Sequence, residues 1–220
     1  MGMGLRQRKK QQTRQLIADT AWRLFADRGF ERVTVAEIAR EAQVAVATVF
    51  NYFPAKEDLF FYRLEAFGAQ LVEAVGERPA GEPALAAFRR ALMGSGGLLA
   101  QAEAGDHQAL ERLRTVNRVT AASPALQARE QLAMARNADA LAALLAAETG
   151  APADDLGPQV AANALIGVQR ALVDHTRRRV LADEEPARLA ADIRGLAERS
   201  FARLERGLGD YAPTPAPPGT

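Results

Sequence analysis

Gly29–Leu59, GFERVTVAEIAREAQVAVATVFNYFPAKEDL, decides how the chain is read. Thr34 followed by Glu37 has the spacing of a capping box, in which the hydroxyl accepts the amide of the glutamate and the carboxylate accepts the amide of the threonine. Val33 and Ile38 occupy the two positions of a hydrophobic staple. A short helix therefore starts at Thr34 and ends before Ala42-Gln43-Val44, which must turn. The next helix, Ala45 to Phe53, is stopped by Pro54, because the residue ahead of a proline is driven out of the helical region. Working upstream, Ile17, Ala21, Leu24 and Phe25 form one apolar stripe on a helix from about Thr13 to Arg28. Gly29 offers a left-handed stop, and Phe30 is placed to fold back onto that helix. Three helices in so short a span, with a tight turn between the last two, make a helix-turn-helix.

Working downstream, one long helix is expected from about Lys56 to Val75, with Glu57 and Asp58 favourably placed in its first turn. The stretch from Gly76 to Pro83 breaks the periodicity and reads as a joint to a second domain. Helices are then expected at Pro83–Glu103, Asp106–Ala121, Ser123–Glu148, Ala153–Val180 and Glu184–Gly207, with Ser123-Pro124 as a cap followed by proline at the first helical position. The fold class is all-α: a helix-turn-helix domain at 13–56, joined by a long fourth helix to a helical bundle that completes 57–209. A basic disordered arm at 1–12 and a proline-rich disordered tail at 210–220 flank the two.

Composition excludes several function classes. There is no cysteine, so disulfides and thiolate metal sites are ruled out. His107 and His175 are the two histidines, and neither follows a glutamate by three residues, as a di-iron bundle requires. No Gly-x-Ser-x-Gly, P-loop or His-Glu-x-x-His is present. Neither catalysis nor a cofactor is expected. The segment Met1–Lys10 lacks the apolar core of a secretory signal, and no apolar run is long enough to span a membrane, so a cytoplasmic location is expected. Charge is distributed unevenly although the net is +1. Residues 1–56 carry ten basic side chains, among them Arg6, Arg8, Lys9, Lys10 and Arg14, against five acidic ones. That excess suggests a polyanion partner for the first quarter of the chain; a solvated basic tail is the other reading.

In a helix-turn-helix the last helix lies in the major groove and meets base edges with its first residues. Val46 and Ala47 are small enough for close approach, while Thr48, Asn51 and Tyr52 are polar enough to reach phosphates or bases. Val49 and Phe53, four apart, turn inward. On the residues alone, Thr48 and Asn51 also fit an exposed polar helix face, and Phe50 and Tyr52 also fit half-buried packing. With Gly29-Phe30, Thr34–Arg40 and Val44–Leu59 taken together, the segment resembles the TetR family of regulators. The resemblance implies a homodimer on a near-palindromic duplex operator and a small-molecule effector held by the C-terminal ligand-binding and dimerisation domain. It assigns phosphates to Thr48, Tyr52 and Lys56, bases to Val46, Ala47, Phe50 and Asn51, and a capping role with a phosphate contact to Thr34. The pattern is departed from at three places. Gln43 stands where glycine is common, and Ala45 and Ala55 stand where a serine or threonine caps; each missing cap costs about 1 kcal/mol.

The last two helices present a wide apolar face that includes Ala161, Ala164, Leu165, Val168, Leu172, Leu189, Ile193 and Leu196. Such a face fits a four-helix dimer interface, with burial inside one chain as the other reading. His107, Arg114, Asn117 and Asn137 fall at helical spacing on apolar stripes, so each either lines a ligand cavity or is satisfied locally. The stretch Leu113–Asn137 loosely resembles regulator domains that take acyl-CoA-like ligands.

Overall fold

The computed structural model describes residues 5–62, 65–94 and 97–208, so the tail at 210–220 lies outside the described residues. Eleven helices are described: α1 (Leu5–Arg28), α2 (Val35–Glu41), α3 (Val46–Tyr52), α4 (Lys56–Phe61), α5 (Glu65–Gly76), α6 (Ala84–Gly94), α7 (Leu98–Glu103), α8 (His107–Ala121), α9 (Pro124–Thr149), α10 (Gly157–Leu181) and α11 (Pro186–Leu208). Among the described residues there is no strand, so the all-α reading stands. No described helix is long and apolar enough to cross a membrane.

The chain forms two compact units, Met1–Ala66 with Arg118–Arg129, and Phe67–Asn117 with Glu130–Thr220. This division corrects the expected layout. The expected joint at Gly76–Pro83 is the end of α5 and a loop at 77–83 inside the second unit, because α5 gives Leu71 and Val75 to the same core as Ala84 and Phe88 of α6. The corner between α8 and α9 belongs to the first unit, because Val119 and Leu126 are buried in its core. The expected helix from Lys56 to Val75 is described as two, α4 and α5, with Tyr62 in a turn after the first. Likewise the expected helix over Pro83–Glu103 is two, α6 and α7. The first helix begins at Leu5, well before Thr13, so most of the arm expected to be disordered is helical.

In the first unit, α1 to α4 close over Ile17, Ala21, Leu24, Phe25, Phe30, Ile38, Val49, Phe53 and Phe60. Phe60 sits at the centre, with its ring centroid 5.3 Å from Trp22, 6.1 Å from Phe25 and 5.2 Å from Phe61. In the second unit, Phe88 and Phe201 are set among alanines, including Ala87, Ala138, Ala162 and Ala197. Arg78, in the loop after α5, is fully buried there. Its guanidinium donates to the Val75 carbonyl and, as a fork, to both carboxylate oxygens of Glu148 at 3.0 and 2.6 Å.

Candidate nucleic-acid interface

The turn that aims α3 is built by local chemistry. The Thr34 Oγ1 accepts the Glu37 amide at 3.2 Å, and the Glu37 carboxylate accepts the Thr34 amide at 2.8 Å and its hydroxyl at 2.9 Å. These bonds favour the ionised carboxylate and hold the Glu37 carboxyl below the usual range, the amide bond of Thr34 contributing most. At its other end α2 closes in a Schellman motif: Val44 donates to the Ala39 carbonyl at 2.9 Å and Gln43 to the Arg40 carbonyl at 3.1 Å. That motif needs a left-handed residue, and Gln43 supplies it at φ 55, where glycine would cost less. Ala45 makes no side-chain cap, so α3 starts on backbone geometry alone.

The result is a helix buried on one side and bare on the other. Val49 is only 1% exposed and Phe53 is buried beside it, whereas Val46 is 41% and Phe50 48% exposed. Ala47 and Asn51 are exposed, and Thr48 and Tyr52 are half-buried. Thr34 is exposed at the cap of α2. All eight residues expected to meet DNA therefore fall on the first unit, none of them fully buried.

Lys56 holds a position that sequence did not reveal. Its Nζ lies 4.1 Å from the ring centre of Phe30 and 5.9 Å from that of Phe25, a cation over two aromatic faces. Partial burial lowers its pKa from the usual lysine value. It opens α4, whose first turn is fixed by Asp58 accepting the Ala55 amide at 3.0 Å. Asp58 also accepts from Arg129 at the start of α9, at 3.1 Å. A second tie joins the same corner to the turn after α1: the Ser123 hydroxyl donates to Glu31 at 2.5 Å while its oxygen receives the Leu126 amide. Beside this tie is a cleft of about 460 Å³ lined in part by Arg28, Phe30, Arg32 and Arg118. Both ties join residues far apart in the chain, so no local pattern announced them.

The residues expected to take a ligand make different contacts. His107 is exposed at the first turn of α8. Arg114 pairs with Glu111 at 3.1 Å and Asp183 at 3.0 Å. The buried Asn117 amide donates to the Leu113 carbonyl one turn back. The Asn137 side chain rests on Gly68 of α5, where an added Cβ would have to displace its amide. Gln169 of α10, which sequence did not single out, is buried with its Oε1 lacking any hydrogen bond. Among the described residues no cluster could hold a metal.

The expected dimer face divides. Ala161, Leu165 and Leu189 are buried within the chain itself, since the alanine-rich helices consume that side for their own core. Ala164, Val168, Leu172, Ile193 and Leu196 remain partly exposed.

Comparison with known proteins fits this geometry. Residues 17–62 match the model of the bacterial regulatory proteins of the tetR family, and residues 82–209 match that of the MftR C-terminal domain. The transcriptional regulator TcmR of Streptomyces glaucescens is 34% identical over 159 residues, covering 70% of this chain and 68% of TcmR. The regulator LuxR of Vibrio harveyi is 54% identical over 46 residues, 21% of this chain and 22% of its own. The solved SmeT–triclosan complex shares the fold at a TM-score of 0.57 and 20% identity, over 94% of this chain and 99% of that one. The chain belongs to the TetR family of helix-turn-helix transcriptional regulators, a family that is not enzymatic.

Proposed function

We propose that the chain is a homodimeric repressor that holds a palindromic duplex operator and leaves it when a small apolar or acyl-type ligand enters the C-terminal unit. The observation that carries the DNA half of this reading is the bare face of α3, where Val46 and Phe50 stay in water beside Thr48 and Asn51 although Val49 between them is buried. An exposed apolar pair on a seven-residue helix costs solvation unless a partner covers it. Methyl and ring contacts to thymine, joined by Asn51 on a base edge, use that surface. Thr34, Thr48 and Tyr52 would hold phosphates, and Lys56 would do so on leaving the Phe30 ring.

The dimer half rests on α10. Leu156, 72% exposed, and Val160, 59% exposed, begin a ridge that continues at steps of four through Ala164, Val168 and Leu172. Ridges of this spacing pack against their copy in a helical dimer. Ile193 and Leu196 of α11 would flank it.

The effector is assigned by class only. The orphaned Gln169 oxygen, on a helix that gives Leu165, Ile166 and Leu172 to the apolar core, fits a ligand that is mostly hydrocarbon with one hydrogen-bond donor. His107, Arg114, Asn117 and Asn137 would form its outer contacts. α8 and α9 each run through residues of both units, so a shift in the C-terminal unit would reach Glu31 and Asp58 through Ser123 and Arg129. That would change the spacing of two recognition helices that must match half-sites one helical turn apart.

The test is selection of duplexes from a randomised pool, followed by binding titrations at several salt concentrations. A palindromic consensus bound by two chains is expected. Tyr52→Phe is expected to weaken every duplex alike with the salt slope unchanged, because the lost hydroxyl carries no charge, whereas Lys56→Ala is expected to lower the slope by about 1 per chain. Selection of no duplex by the intact chain at low salt overturns the reading.

A further inference from the structure

The first three turns of α1 are helical without a core to hold them. Among the described side chains of α1 the first buried one is Ile17, and residues 7–15 ahead of it are all polar. A helix of that kind needs compensating contacts. Its charges supply the opposite. Arg8, Lys9 and Lys10 are exposed and consecutive, no ion pair is made by them among the described residues, and the first turn holds no acidic group. Cations at a helix N-terminus oppose the macrodipole and repel one another. The segment also lies ahead of residues 17–62, which match the family model.

What fixes its direction is Arg14. Its guanidinium lies 4.7 Å from the ring centre of Tyr62 and 5.3 Å from that of Phe53, the residue that ends the recognition helix α3. Lys10, one turn earlier on the same face of α1, continues the line away from α3. A polyanion running beside α3 removes both unfavourable terms at once, pairing with the cations and meeting the amides at the helix start.

We infer that the N-terminal extension of α1 is a second DNA-contacting element: Arg8, Lys9 and Lys10 grip phosphates beside those held by the helix-turn-helix, and the helix around them is steadied by that contact. The inference rests on the DNA-binding reading above. It concerns affinity and footprint, not sequence choice, since phosphate contacts carry no base code.

The experiment compares the intact chain with the triple variant R8Q/K9Q/K10Q on a duplex selected by the intact chain. Three readouts apply: the salt dependence of affinity, phosphate-ethylation interference, and hydrogen exchange of residues 7–12 with and without duplex. Each lost phosphate contact is expected to reduce the salt slope by about 0.9, so by up to about 2.7 per chain. Interference at the outermost phosphates is expected to vanish in the variant while the selected consensus stays the same. Amides of residues 7–12 in the intact chain are expected to exchange more slowly on the duplex. An unchanged slope and interference pattern in the variant, with the intact chain binding normally, overturns this inference alone. Failure of the intact chain to bind any duplex overturns it together with the DNA-binding reading.

Discussion

The two units are packed from different materials. In the first, Phe25, Phe30, Phe60 and Phe61 touch one another with centroid separations from 5.0 to 6.3 Å, several at steep interplanar angles. In the second, long helices meet through Ala84, Ala87, Ala138, Ala142, Ala161, Ala162 and Ala197, with Phe88 and Phe201 the large rings among them. Interlocked rings fix orientation, which is what helices as short as α2, α3 and α4 need if their exposed side chains are to meet a fixed lattice of phosphates. Alanine contacts let helix axes approach closely but give few knobs to lock them. The first unit is therefore locked mainly by rings, and the second by close-set alanines with aliphatic side chains such as Leu71, Leu141 and Leu145 between them.

The largest test removes the central ring. Phe60→Ala should cost about 3–5 kcal/mol in chemical denaturation and abolish duplex binding with it. A loss below about 1 kcal/mol would show that the ring cluster does not hold the first unit. The second unit should be sensitive in the opposite sense. Ala162→Leu adds volume where no space exists and should cost about 1–3 kcal/mol, whereas a tolerated leucine would mean that the alanine contacts are loose.

A smaller effect sharpens the account of the turn. Gln43→Gly relieves a left-handed residue, a strain of about 1–2 kcal/mol that the greater freedom of glycine in the unfolded chain partly offsets. A net gain of about 0.5 kcal/mol is expected, read as a shift of the denaturation midpoint with duplex affinity unchanged. The smallest effect concerns Glu37. Its folded pKa is depressed by the Thr34 amide and hydroxyl, so its contribution is complete above the unfolded value of about 4.3 and is lost as pH falls through the lower folded value. Glu37→Gln should flatten stability against pH below about pH 4.3. Parallel profiles for both proteins would remove the capping box from the acid response.

Much of the first unit was legible because its signals are local. Thr34 and Glu37 are three residues apart, Val33 and Ile38 flank the same cap, and Pro54 acts on its neighbour. Burial of Val49 and Phe53 followed from a four-residue spacing on one short helix. The second unit was less legible for a physical reason. On helices that are apolar over most of their circumference, periodicity does not say which side meets the chain itself, and Ala161, Leu165 and Leu189 went to the internal core. The helical start of α1 was missed because residues 7–15, though rich in the good helix formers arginine, lysine and glutamine, carry no apolar stripe to mark a helix.

The amino-acid order by itself determined the helix-turn-helix, its caps and stops, and which side of α3 is bare, since each follows from interactions within about one helical turn. Only the tertiary structure decided that the α8–α9 corner belongs with the first four helices, that Arg129 and Ser123 reach Asp58 and Glu31, and that the Lys56 ammonium rests on Phe30. Those contacts join segments whose partners are chosen by packing of the whole chain, and no residue pattern of short range encodes that choice.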